Sequence, residues 1–186
     1  QRFINNRTQL KDQTTAQKFS PRIGLNYRPS QELSVYTNYG EAFSMNNGMS
    51  RMQETFAPET AKSYEMGLKY QWQDHSMLSI VLFDMTKKNV LMTDAIDPNF
   101  ESAVGEVKSK GLEIDFNHRM NDQMTVSAGY AYVDAKVSKD DVLPTGSPLS
   151  NVPKHTAHVM MAYDFWQSAQ QAAGVHLNLN YVDERS

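Results

Sequence analysis

The feature that most constrains this chain is a period-two alternation of apolar and polar residues, repeated from near one end to the other. In the segment 63–72, Tyr64, Met66, Leu68, Tyr70 and Trp72 share one parity. Ser63, Glu65, Gly67, Lys69 and Gln71 share the other. A strand turns successive side chains to opposite faces, so this segment has one apolar, aromatic face and one small, polar face. The same split separates Ile23, Leu25 and Tyr27 from Gly24 and Asn26. It separates Leu112, Ile114 and Phe116 from Glu113 and Asp115, and Val175, Leu177, Leu179 and Tyr181 from His176, Asn178 and Asn180. Segments 33–40, 124–132 and 156–165 behave alike. About eight strands are expected.

The connections alternate in length. Short polar turns are expected at Arg28–Gln31, Gln73–Ser76 and Met120–Gln123, and a slightly longer one from Trp166 to Ala172. Longer links run from Ser44 to Ala57, Asp94 to Glu101 and Lys139 to Pro153. Short turns at one end and long loops at the other imply an up-and-down meander in which each strand pairs with its sequence neighbour. Tyr27, Tyr70, Trp72, Phe116, Phe165 and Trp166 gather beside the short turns, and Tyr39, Tyr130 and Tyr132 lie nearer the long links. Two such rows resemble the aromatic girdles at the two faces of a membrane.

Mean hydropathy is −0.59, and no apolar run approaches the roughly 20 residues of a membrane helix. A transmembrane β-barrel is compatible with that value, because half of each strand faces a polar interior. Soluble β-sandwiches alternate too. Three features favour the membrane barrel over a sandwich: segments longer than the usual strand of about 5 to 6 residues, loops that alternate in length, and aromatics at the turn ends. The net charge of −3 and the scattered basic residues point away from nucleic acid. The chain has no cysteine. It opens on neither an initiator Met nor an apolar leader, and is read as a fragment of a longer mature protein.

No catalytic constellation stands out. Glu65, Lys69, Glu113 and Asp115 share the polar face and are read as groups lining a hydrated interior rather than as acid/base catalysts. His155 and His158 fall on opposite faces of a strand, which disfavours a metal pair. The simplest reading of all five histidines is ordinary polar surface. The chain is therefore expected not to be an enzyme, and to hold no metal or cofactor of its own.

Six stretches in order then resemble one family. They are Phe19 to Pro29, Leu33 to Phe43, Pro58 to Tyr70, Leu82 to Val90, Gly105 to Glu113, and Asn151 to Ala157. The most specific is Pro58-Glu59-Thr60 followed by Tyr64-Glu65, Gly67 and Lys69-Tyr70. They resemble the barrel strands of TonB-dependent siderophore receptors, with Lys108, Lys110 and Lys154 where arginine is common. The resemblance implies an all-β, antiparallel transmembrane barrel of about 22 strands in the outer membrane of a Gram-negative bacterium. It also implies an N-terminal plug and uptake of a ferric siderophore driven through the TonB complex. On this reading the whole chain, 1–186, is part of the barrel domain. The plug, the TonB-contacting segment and the earlier strands lie outside it, and eight strands cannot close the barrel. A passive porin-like channel, or a TonB-dependent receptor for another substrate, is the alternative. The expected partners are the ferric siderophore, TonB and outer-membrane lipid.

Aromatic loop residues suit the capture of such chelates, and Phe43, Phe56 and Phe100, in or beside the long links, are the candidates. The simpler reading of each is loop packing or a place in the outer girdle. One segment resists the alternation: Met77 to Met85 is apolar on both parities before Asp84. A β-bulge or a plug-facing apolar patch would account for it.

Overall fold

A computed structural model describes residues 17–72, 76–94, 96–140, 143–168 and 171–184, with Val104 and Gln167 described by their backbone alone. Among the described residues every regular element is a strand. They are β1 (Arg22–Tyr27), β2 (Leu33–Ser44), β3 (Glu59–Trp72), β4 (Ser76–Thr93), β5 (Glu101–Arg119), β6 (Met124–Lys139), β7 (His155–Gln167) and β8 (Ala172–Val182). They form one antiparallel sheet in the order β1 to β8, each strand paired with its sequence neighbour. The expected meander is present. The sheet is open, with β1 and β8 as its edges.

Short turns are locally encoded. Ser30 Oγ accepts from the Glu32 and Leu33 N–H groups at 3.2 Å, closing the β1–β2 turn. Asn121 Oδ1 accepts from Gln123 N at 2.9 Å, and Arg119 pairs with Asp122 at 3.1 Å across the β5–β6 turn. The expected turn at Gln73, Asp74 and His75, the middle of the β7–β8 turn and the last two residues lie outside the described residues.

Register carries the parity of each strand to its neighbour. Leu25 pairs with Thr37, Thr37 with Met66, Met66 with Leu82, and Leu82 with Leu112. Leu112 pairs with Tyr132 and Tyr132 with His155. All eight apolar faces thus join into one surface. The polar parities join on the other side, for instance through Asn117–Ser127 and Ser127–Met160.

The segment Met77 to Met85 contains no bulge. Its pairing with β3 is unbroken from Trp72–Ser76 to Thr60–Lys88, and its pairing with β5 holds the same step. Met77, Val81, Phe83 and Met85 therefore project from the polar side as an apolar strip. Register shifts occur elsewhere, between Glu106 and Val107 and between Asp164 and Trp166.

The core is confined to the long-loop end. Val107, Ala135 and Val137 are the buried hydrophobics among the described residues. Val107 and Val137 are register partners, packed against Val90, Met92, Leu143 and Leu149. Residues 143–154 fold back to make this contact, with Val137 N donating to Ser147 O at 2.9 Å and Leu149 N to Ala135 O at 3.0 Å. An eight-stranded sheet with so small a core draws its stability from what covers its two faces.

Candidate functional site

Among the described residues no part of the protein covers the apolar face. Ile23 is 70% exposed, Leu25 68%, Leu82 53% and Leu179 60%. Isolated exposed apolar residues are ordinary, but a sheet-wide continuous surface is not stable against water. Aromatic rows bound it at both ends. Near the short turns, the Trp72 ring lies 5.7 Å from Tyr70, 5.9 Å from Phe116 and 5.7 Å from His118. His118 Nδ1 is also 2.7 Å from Ser76 Oγ. At the long-loop end, Tyr39 and Tyr64 lie 4.9 Å apart and Tyr132 lies 5.2 Å from His155. The Tyr130 hydroxyl and His155 Nδ1 are 2.8 Å apart. His118 and His155 are therefore members of the aromatic rows and not ordinary polar surface. Their position on the apolar parity was visible in the sequence; their ring partners were not.

On β3 the two rows are marked by Tyr64 and Trp72. At about 3.3 Å per residue and a tilt of about 40° they stand roughly 20 Å apart along a barrel axis. That matches an apolar band about 25 Å tall between girdles.

The polar face carries Glu65, Lys69, Glu113 and Asp115 together, as the alternation requires. Lys69 Nζ sits 5.7 Å from the centre of the Tyr36 ring. Among the described residues no ion pair joins these four groups, and no cluster of three His, Asp or Glu side chains is arranged to hold a metal. An open hollow of about 260 Å³ on this face is lined by Glu113, Asp115, Thr156, His158 and Asn180. The chemistry offered is that of a hydrated wall, with charge and hydrogen-bonding groups facing the interior.

The long loops are pinned to one another. Asn46 Nδ2 donates to Ala57 O and to Asn89 O, both at 2.7 Å. Asn89 adopts a left-handed backbone at φ 56°, and its own Nδ2 donates to Pro58 O at 3.0 Å. Arg51 Nε meets Asp94 Oδ2 at 3.1 Å, and Glu101 N donates to Met49 O at 3.2 Å. Asp94 Oδ1 accepts from Ile96 N at 2.8 Å and Asp97 N at 3.1 Å. Those two N–H groups, and then Arg51, hold the Asp94 carboxyl below its ordinary range. Asn46, Asn89, Arg51 and Asp94 were not singled out by sequence reading; only the Asp94-to-Asp97 spacing carries a local turn signal.

Phe56 and Phe100 come into this pinned cluster. Phe56 follows Thr55, which bridges to Met49, and Phe100 precedes Glu101, which bonds the same Met49. Both are half-buried. Phe43 sits apart. It is the penultimate residue of β2, paired with Thr60, on the parity of Tyr39 and hence on the outer face.

An open antiparallel meander with an apolar belt between two aromatic rows, a polar reverse face and long loops at one end is the wall of an outer-membrane β-barrel. The chain matches the family of TonB dependent receptor-like β-barrels over residues 2–186, and it belongs to that family. It is 34% identical to the metal-pseudopaline receptor of Pseudomonas aeruginosa, over 94% of this chain and 25% of that protein. It is 29% identical to the ferrichrome outer membrane transporter/phage receptor of Escherichia coli, over 89% of this chain and 22% of that protein. Its fold matches the ferric preacinetobactin receptor of Acinetobacter baumannii with a TM-score of 0.70 at 24% identity, covering 88% of this chain and 25% of that structure. The chain thus spans about a quarter of the length of the curated relatives it matches. The family consists of receptors and transporters, and its barrels lie in the Gram-negative outer membrane.

Proposed function

We propose that the whole protein takes up a small-molecule metal chelate, in the first instance a ferric siderophore, across the outer membrane with energy relayed through TonB. The observation that carries this reading is the match of residues 2–186 to the receptor-barrel family, whose relatives here are named for ferric and other metal chelates. The pinned loops support it. A chelate captured at the cell surface needs ordered aromatic and polar groups at the long-loop end, and Phe56 and Phe100 lie in that cluster. Phe43, on the outer face, is not assigned a ligand contact. Glu65, Lys69, Glu113 and Asp115 then serve as wall groups of a wet interior.

A second reading has its own support. The 34% identical relative is a metal-pseudopaline receptor, so a chelate of another metal fits the same barrel. A strain lacking the full-length receptor is grown under iron limitation, and separately under limitation of other transition metals, on a panel of purified metal chelates. Loss of growth on one ferric chelate, restored by the intact gene only when TonB is present, is the expected result. Loss on a chelate of another metal selects the second reading. Normal growth throughout overturns chelate uptake in favour of another TonB-dependent substrate or a passive channel, and transport that persists without TonB selects the passive channel.

A further inference from the structure

The inner wall is recessed at the height of the upper aromatic row. An open hollow of about 530 Å³ lies there across β1 to β4, within the roughly 300 to 1,000 Å³ of small-molecule sites. Its floor has little side chain: register sets Gly40 beside Ser63 and Ala42 beside Ala61. Charge stands at its edges. Arg22, the register partner of Gly40, lies over that glycine, its Cγ 3.7 Å from where a β-carbon would stand. Lys87, the register partner of Ala61, lines the far side. Asn38 lies over Gly24 and brings an amide to the lower edge. Among the described residues Arg22 has no ion-pair partner. Lys87 pairs with Glu59 at 3.0 Å and keeps donors to spare. Glu41 also borders the hollow, but from the outward parity, where Lys62 holds it at 3.0 Å.

The inward side chains of the hollow are therefore cationic, while the wall carboxylates lie deeper. Glu65 stands one inward row below Ser63, and Glu113 and Asp115 lie lower still, opposite Val81 and Ser79. Arg22 and Lys87 are three strands apart and offset by two residues, roughly 15 Å between Cα atoms at ordinary strand spacing. Two long side chains at that separation can touch one small molecule between them. The row Arg22, Gly40 and Ser63 falls between the outward pairs Tyr39–Tyr64 and Glu41–Lys62, so the hollow lies at the long-loop side of the membrane. A guanidinium fork suits the paired oxygens of a carboxylate or catecholate, and lysine adds a point charge. A cleft lined by one sign of charge also concentrates the opposite ion.

We infer that Arg22 and Lys87 bind the anionic face of the transported chelate, so that this receptor selects chelates of net negative charge, catecholate or carboxylate, over neutral hydroxamates. The inference rests on the chelate uptake proposed above and names the charge class of its substrate.

The test uses the full-length receptor in mild detergent and three ferric probes: an anionic tricatecholate, anionic ferric citrate and a neutral trihydroxamate. Binding is read by quenching of intrinsic fluorescence. The wild type is expected to bind one of the anionic probes at least about tenfold more tightly than the neutral one, with an affinity that falls as salt is raised. Arg22→Gln and Lys87→Gln are each expected to weaken that binding about tenfold, the loss of one charge-assisted contact, and to leave the neutral probe unchanged. Lys62→Gln, on the outer face, is expected to change neither. Folding is checked by heat-modifiable gel mobility; if a variant does not fold, the probe preference and salt dependence of the wild type decide. A wild type that binds the neutral probe as tightly as the anionic ones overturns the inference, and so does undiminished anionic binding by both Gln variants. An equal loss for anionic and neutral probes also overturns it, because the two cations then hold the wall and not the ligand. A wild type that binds none of the three counts against chelate uptake itself, and the charge preference falls with it.

Discussion

The Tyr36 ring lies across Gly67, its register partner on β3, so closely that a β-carbon there would come within 2.3 Å of Tyr36 Cζ. The glycine gives an inward-facing aromatic somewhere to lie, and Lys69 sits over the same ring. Phe83 and its register partner Gly111 repeat the device on β4 and β5, with one difference. At Gly111 a β-carbon would meet the Tyr132 carbonyl oxygen at 2.1 Å as well as Phe83 Cζ at 2.7 Å. A side chain can swing aside; a ladder carbonyl cannot. Gly67→Ala is therefore expected to cost about 1 kcal/mol and Gly111→Ala about 3 kcal/mol. Urea midpoints of the full-length barrel in lipid vesicles measure both, and equal or reversed costs would refute the comparison.

The apolar belt predicts a depth-dependent penalty. Ile114 lies two residues above Phe116 of the lower row and two below Leu112, facing outward. Ile114→Arg is expected to destabilise the barrel by about 2 to 4 kcal/mol, the cost of a cation near the middle of a bilayer. Lys110→Arg, above the belt, is expected to change stability by less than about 0.5 kcal/mol. The folded fraction in phospholipid vesicles distinguishes them. Tolerance of Arg at 114 would place water, not lipid, on this face.

The contact between the β2–β3 loop and the β4–β5 tip should depend on pH through Asp94. Its carboxyl is held low in the folded state by the Ile96 and Asp97 N–H groups and then by Arg51. A depressed folded pKa gives a contribution that is fully present above the unfolded value, near 3.9, and is lost as pH falls through the folded one. Amide exchange at Ile96 and Asp97 is expected to stay equally protected from neutral pH down to about pH 4, and to lose protection below it. Asp94→Asn should remove that acid transition. A transition near neutral pH would exclude Asp94 as its source.

Asn89 does two separable jobs. Its left-handed backbone suits Asn or Gly, and its amide holds Pro58 O. Asn89→Gly keeps the backbone and loses the amide contact, while Asn89→Ala loses the contact and adds about 1 to 2 kcal/mol of backbone strain. Trypsin cleavage after Arg51, in the loop that Asn89 anchors, is expected to rise in the order wild type, Gly variant, Ala variant. Equal rates for the two variants would mean the backbone geometry is not strained by a β-carbon.

The alternation of Tyr64 to Trp72 and of Val175 to Tyr181 placed each residue on its face before any coordinates, and carrying the parity of Tyr39 through Glu41 puts Phe43 on the outer side. The strands nevertheless run further than the alternation shows. β5 begins at Glu101 and β6 ends at Lys139, beyond the belt. There Val107, Ala135 and Val137 on the inward parity pack under the folded-back link while the outward parity is charged, so the side chains no longer repeat the lipid-against-water pattern of the belt, and the ladder's backbone hydrogen bonds leave no mark in side-chain hydropathy. The apolar strip at Met77 to Met85 resembled a bulge for a related reason: composition cannot tell a shifted register from an apolar residue facing inward, as Phe83 does over Gly111.

The sequence by itself determined the class of fold, the two faces and the alternation of turn and loop, because the preference for lipid or water acts on one residue at a time and is written at each position. Only the tertiary structure decided that Tyr36 covers Gly67, that Asn46 reaches Asn89 from the preceding hairpin, that Phe56 and Phe100 share a loop cluster, and that Lys108 faces Lys136. Each of these joins residues on different strands or loops. Their meeting depends on register and on loop closure over many intervening residues, and no local pattern encodes that geometry.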